Sequence, residues 1–144
     1  MAPFIFAEGN MIAGKFSITT ARPMEMIDIT AMVSDRLRQA CITQGTCTLF
    51  NPHTTAGLTI NEGADPDVQQ DIISGLQKIV PMAYPFKHAE GNSPAHIMAS
   101  LTGSALTILI EDGQLVLGTW QRIFFCEFDG PRPRTVLWRI LVCT

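Results

Sequence analysis

Charge is the first thing this sequence is short of. Asp, Glu, Lys and Arg make up only 16% of its 144 residues, against about 25% in an ordinary soluble domain. The hydrophobic share is 47%, enough for a real core in one domain spanning residues 1–144. So little charge over so much apolar content predicts that other copies of the chain cover part of its surface. Lys and Arg total 10 against 13 acidic residues, a net charge of -3, so there is no basic face for nucleic acid. No apolar run approaches the ~20 residues of a membrane span, and Met1–Glu8 lacks the basic start and long apolar core of a signal peptide. The expectation is a cytoplasmic protein with no membrane partner. Cys41, Cys47, Cys126 and Cys143 include no C-x-x-C pair. They read as free, buried thiols rather than a disulfide framework or a zinc site.

Histidine is scarcer still, and its placement organises the chain. Of three histidines, His88 and His96 stand eight residues apart in His-Ala-Glu-Gly-Asn-Ser-Pro-Ala-His, and His53 lies in Asn51-Pro-His-Thr-Thr-Ala-Gly57. Both stretches have the Gly, Pro, Asn, Ser and Thr content of loops. The elements around them follow from periodicity. Residues 1–13 read as a loose arm and Lys15–Thr20 alternates as a strand, while Met24–Ile29 fits either a sheet edge or the approach to a helix. Thr30 is placed to cap a helix over Ala31–Cys41, with Val33 and Leu37 on its inner stripe. Thr46–Phe50 and Leu58–Glu62 read as strands on either side of His53. Asp65-Pro66 starts a helix to about Val80, and Ser93-Pro94 caps a second from Pro94 to Leu101, with His96 in its first turn. The remainder is β: Ala105–Ile110, an Asp112-Gly113 hairpin, Leu115–Gly118, Trp120–Phe128 and Thr135–Val142. That order predicts an α+β fold, a mainly antiparallel, sandwich-like sheet with about three helices.

Imidazole is suited to proton transfer near neutral pH and to metal ligation. Taken alone, His53 reads as a loop residue bonding its own turn; taken with His88 and His96, it points to a shared site, although the spacing matches no standard zinc motif. Glu62 precedes the Asp65 cap and is free to face a cleft, and Glu90 lies between two of the histidines. Glu127 alternates with Cys126 and Phe128, so either solvent or a functional role fits it. Arg132 and Arg134 stand on an Asp-Gly-Pro-Arg-Pro-Arg turn and suit the grip of a phosphate or carboxylate. Ser93 and the free N–H groups of its helix offer a further anion contact. Trp120-Gln121 could line a pocket wall, although a strand tryptophan more often packs in a core.

Three segments resemble the signatures of the YjbQ family, also called secondary thiamine-phosphate synthase-like proteins. They are His53-Thr-Thr-Ala-Gly-Leu-Thr-Ile-Asn-Glu62 with Asp65-Pro-Asp67, then His88 through Gly91-Asn92 to Ala95-His96, then Leu117-Gly-Thr-Trp-Gln121 with Glu127-Phe-Asp-Gly-Pro-Arg132. Pro94 and Leu109 depart from the family pattern. The resemblance implies an antiparallel α+β fold, a homotrimer, and a catalytic set of His53, Glu62, His88, His96 and Glu127. It places Asn92 and Arg132 beside them, and with these the candidate substrate contacts are Thr54, Ser93, Gln121 and Arg134. A divalent ion, zinc or magnesium, is carried over to His53, His88 and His96. The activity implied is a weak thiamine-phosphate synthase transfer, in which a hydroxymethylpyrimidine diphosphate joins a thiazole phosphate and diphosphate leaves. Cations suit that leaving group. The expected function is therefore a metal-assisted enzyme acting on a phosphorylated small molecule. The alternative is a homotrimer that binds a metal or small anion without turnover.

Overall fold

The computed structural model describes residues 6–143. In chain order the elements are β1 (Phe6–Glu8), β2 (Met11–Thr19), β3 (Glu25–Asp28), α1 (Thr30–Ala40), β4 (Gly45–Phe50), β5 (Ala56–Glu62), α2 (Pro66–Ile79), α3 (Ser93–Thr102), β6 (Ala105–Glu111), β7 (Gln114–Leu115), β8 (Gln121–Glu127) and β9 (Pro133–Val142). The strands form a six-stranded sheet, β1-β2-β9-β4-β6-β7, and a three-stranded one, β3-β8-β5. All pairings are antiparallel, as the α+β reading expects.

Alternation builds the larger sheet's inner face. Phe16 and Ile18 on β2, Cys47 and Leu49 on β4, Ile108 and Ile110 on β6, and Val136, Trp138 and Ile140 on β9 all point into one core. The smaller sheet and α1 close it with Leu58, Ile123, Phe125, Val33 and Leu37. The central strand β8 has a second cluster on its other face, where Phe124, Cys126 and Phe128 pack with Val80, Ala95 and Met98. Every residue from Ile123 to Phe128 is therefore buried. This overturns the option that Glu127 faces solvent. Alternation puts it opposite Cys126, but both faces of β8 are covered, and Glu127 is 0% exposed.

Other expectations shift at the ends of elements. Much of the supposed loose arm is strand, since β1 pairs with the start of β2 and Met11–Ala13 pairs with β9; residues 1–5 lie outside the described residues. Thr30 does not cap α1: the helix starts there, and the Thr30 hydroxyl accepts the Ile123 N–H of β8 at 2.8 Å. Asp65 does cap α2, accepting the Asp67 N–H at 2.9 Å with Pro66 in the first turn. Ser93 is the first residue of α3 rather than its cap. The Asp112-Gly113 turn forms, both residues at positive φ, but β7 is two residues long. Trp120 sits outside β8 and is 63% exposed. Cys41 and Cys143 are free but exposed, while Cys47 and Cys126 are buried, and burial pushes both of those thiols up to about 12.

Candidate functional site

Three chain segments meet at one end of the sandwich. The first leaves β4. Asn51, 1% exposed, folds the loop around its own side chain: Oδ1 accepts the His53 N–H at 3.0 Å and Nδ2 donates to the Ala56 carbonyl at 2.7 Å. An Asn-Pro pair is well suited to such a turn. The second is the start of α3, which carries Asn92 and His96. Gly57 brings α3 close to β5, since a Cβ there would stand 2.8 Å from the Thr102 Cβ and 3.0 Å from the Gly103 carbonyl oxygen. The third is the β8–β9 turn with Asp129 and Arg132. The Phe128 N–H donates to the Thr55 carbonyl at 3.2 Å and ties the third segment to the first.

Beneath these loops lies an ion pair. Arg134 Nε donates to Glu127 Oε2 at 2.7 Å and its Nη2 to Oε1 at 3.1 Å. The same Nη2 donates to the Thr55 hydroxyl at 2.8 Å, and the Thr20 hydroxyl donates to Glu127 Oε1 at 3.3 Å. Thr20 also accepts the Arg132 N–H at 2.9 Å. Burial raises the Glu127 pKa, while Arg134, Thr20 and Arg132 pull it back down. Arg134 is thus not on the exposed turn, as its sequence setting suggests, but is an inward residue of β9, 4% exposed. Glu127 fixes Arg134 rather than opening to solvent.

Above the pair is a polar hollow of about 310 Å³ lined by His53, Thr54, Asn92, His96, Arg132 and Arg134, with Pro52, Thr55, Glu90 and Asp129. Six of the sequence-predicted residues therefore meet. His53 Nε2 accepts the Thr135 N–H at 2.8 Å. That bond requires an unprotonated Nε2, so Nδ1 carries the proton and the ring is a neutral donor. Burial lowers the His53 pKa, and the charges of Arg134 and Arg132 push the same way. Asp129 Oδ2 accepts from Asn92 Nδ2 and Arg132 Nη2, each at 3.0 Å. Arg134 Nη1 carries no hydrogen bond among the described residues.

The other expected residues lie elsewhere. His88 is beside the hollow, its ring centroid 5.4 Å from that of His96 and its Nε2 3.9 Å from Glu90. Ser93 stands on α3 outside the lining. Glu62 pairs with Gln121 at the far end of β5, six residues from Ala56, or roughly 20 Å along the strand. Gln121 there accepts the Gly118 N–H at 2.8 Å. The sequence reading missed Thr20 and Thr55, because each works only through contacts distant in the chain.

The donor set fits a metal ion only in part. His88 and His96 are close enough to share one, but His53 cannot join them while its Nε2 accepts the Thr135 N–H. Among the described residues no group of three or more His, Cys, Asp or Glu side chains is placed to hold a metal.

A two-sheet α+β sandwich with a histidine- and arginine-lined hollow at one end defines the kind of protein, and comparison places it. The profile of the family described as UPF0047 protein YjbQ-like matches residues 14–142. A UPF0047 protein of Methanocaldococcus jannaschii is 47% identical over 88% of this chain and 92% of its own. The UPF0047 protein YugU of Bacillus subtilis is 48% identical over 82% and 90%. Among solved structures, an uncharacterised YjbQ/UPF0047 protein from Clostridium acetobutylicum superposes with a TM-score of 0.86 at 50% identity, covering 88% of this chain and 98% of that one. A protein of unknown function from Sulfolobus solfataricus gives 0.88 at 32% identity, covering 92% and 98%. The chain belongs to the YjbQ-like UPF0047 family.

Proposed function

We propose that the polar hollow binds the phosphate or diphosphate of a small molecule and that the protein is an enzyme acting on it. The observation that carries this reading is the convergence of Arg132, Arg134 and the neutral, donating His53 on one hollow. Arg132 spends one nitrogen on Asp129 and keeps its other donors for a ligand. Arg134, locked from behind by Glu127, presents Nη1 without cost in side-chain entropy. His96, in the same lining, would give or take a proton. Of the metal reading, zinc suits two imidazoles better than magnesium, which takes oxygen donors; His88 and His96 would hold it, and it would supply Lewis-acid charge to the leaving phosphate. A thiamine-phosphate synthase-like transfer is one reaction of this class.

Titration calorimetry with pyrophosphate, with and without magnesium, tests the reading. Arg132→Ala should weaken binding at least ten-fold, as for loss of a charge-assisted hydrogen bond of about 1.5–3 kcal/mol. Equal affinity in wild type and variant would sink the proposal. Binding without turnover of hydroxymethylpyrimidine diphosphate and thiazole phosphate would favour the alternative, a non-catalytic anion-binding protein.

Assembly into a homotrimer is the second part of the proposal. The outer face of the larger sheet supports it. Leu137 lies between Lys15 and Phe50 in register, and Thr46 lies between Leu141 and Leu109; Phe50, Leu137, Leu141 and Leu109 are all exposed. These exposed apolar side chains flank the Arg139–Thr48–Thr107 row on the same face, and a second copy of the chain would cover them.

A further inference from the structure

The outer face of the larger sheet carries a hollow of about 750 Å³ lined by Gly14, Lys15, Phe50, Leu137 and Arg139. Its lining has two cations and no acid. Phe50, 43% exposed, forms one edge. The same residue borders a further hollow that runs past His53 and His96 to the polar one. The sheet face and the histidines therefore share a border. A corner of complementary chemistry stands at the far end of β8. Trp120 lies outside that strand and is exposed. Its carbonyl accepts the Gly63 N–H at 2.9 Å, which sets the residue beside Glu62, Asp65 and Asp67. Arg122 lies over Gly63, with its Nη1 spent on the Gln121 carbonyl at 2.8 Å, so the corner stays acidic. Trp120 cannot reach the histidines of its own chain. Gln121 pairs with Glu62 whereas Glu127 pairs with Ala56, a separation of roughly 20 Å along β8.

We infer that the histidine site is shared between copies of the chain: the Trp120 corner of one copy seats in the sheet-face hollow of the next and walls the open side of its His53–His96 hollow. The inference rests on the homotrimer part of the proposed function and adds which two surfaces meet and what the contact does for the site. A patch that pairs with itself cannot close a three-fold ring, so each copy must offer two different patches, one to either neighbour. The outer sheet face is one. The Trp120 corner fits as the other on two counts. An indole that enters a pocket is a common interface anchor, and the sheet-face hollow has room for it. The acidic start of α2 answers Lys15 and Arg139, and complementarity of this kind fixes the orientation of a contact more than its affinity. Seated against Phe50, Trp120 and the exposed Gln121 stand at the edge of the hollow that holds His53 and His96. The contact covers the exposed indole and brings Gln121, too distant to serve its own hollow, to a neighbour's.

Sedimentation of the full chain tests the contact. Trp120→Ala should give monomer at concentrations where the wild type is a trimer, with the far-UV spectrum unchanged. Leu137→Glu, in the sheet-face hollow, should do the same. The two variants damage different patches, since the first keeps a sound hollow and the second a sound corner. An equimolar mixture should therefore form a dimer of one copy each and no trimer, because only one junction can form. Labelling with diethyl pyrocarbonate, read residue by residue in a mass spectrometer, tests the shared site. His96 should react at least about five-fold more slowly in the wild-type trimer than in monomeric Trp120→Ala, as a group shut off from water by an interface. Trp120→Ala that remains trimeric would overturn the inference and leave the trimer standing. A mixture that stays monomeric would overturn the head-to-tail contact. Equal labelling in trimer and monomer would overturn the shared site. A monomeric wild type would overturn the trimer and the inference together.

Discussion

The Thr135 N–H that donates to His53 ties one proton to the stability of the whole chain. Protonating Nε2 breaks that bond, and burial with the charges of Arg134 and Arg132 lowers the His53 pKa. A lowered histidine pKa favours the neutral ring in the folded state. Its contribution is complete above the unfolded value of about 6.5 and is lost as pH falls through the lower folded value. Thermal melts of wild type should therefore weaken on acidification below about pH 6.5 more steeply than those of His53→Gln, whose amide oxygen still accepts the Thr135 N–H. Parallel curves would count against this linkage. Glu127 and Arg134 make a second prediction at this scale. Losing one member of a buried pair costs about 3–5 kcal/mol, so Glu127→Ala should lower the unfolding free energy by roughly that amount in urea titrations. Replacing both with Met should cost much less. The sequence grouped histidines and arginines in loop-like segments, and six of its candidates line the hollow although Arg134 lies on β9 and His96 on α3. It could not show that Glu127 and Arg134 lie under that hollow. Their pairing joins the end of the smaller sheet's central strand to the start of an interior strand of the larger one, and strand alternation carries no information about what covers the second face.

Elements were legible where local chemistry set them. Asp65-Pro66 starts α2 and Asp112-Gly113 turns β6 into β7, each by bonds within a few residues. The caps expected at Thr30 and Ser93 failed because tertiary partners took priority. Thr30 spends its hydroxyl on β8, and Asn92, just ahead of Ser93, turns its amide to Asp129. β1 and β3 were missed or left open because short edge strands are defined by their neighbours. The seating of α3 depends on Gly57, where an added methyl meets the Thr102 side chain and the Gly103 carbonyl. Gly57→Ala should push the helix away from β5, displace His96, and cost about 1–3 kcal/mol as an overpacked contact. Denaturant melts and loss of pyrophosphate affinity together check this. A variant as stable and as tight as wild type would show that the contact is slack.

At the scale of the molecule, the exposed Phe50, Leu109, Leu137 and Leu141 on the outer face of the larger sheet are where the proposed trimer is tested. Leu137→Glu puts a carboxylate at the middle of that face, and sedimentation should then report monomer where wild type reports trimer, with the far-UV spectrum unchanged. A monomeric wild type would remove the assembly from the proposal. The same sandwich leaves its central strand a different liability. Ile123-Phe-Phe-Cys126 has no charge, no proline and strong β preference, and it is safe only because the larger sheet covers one side and α2 and α3 cover the other. While either cover is off, during synthesis or partial unfolding, that run has the composition of a self-pairing segment. Mutations that loosen the helices would therefore appear as insolubility before they weaken the hollow beside α3.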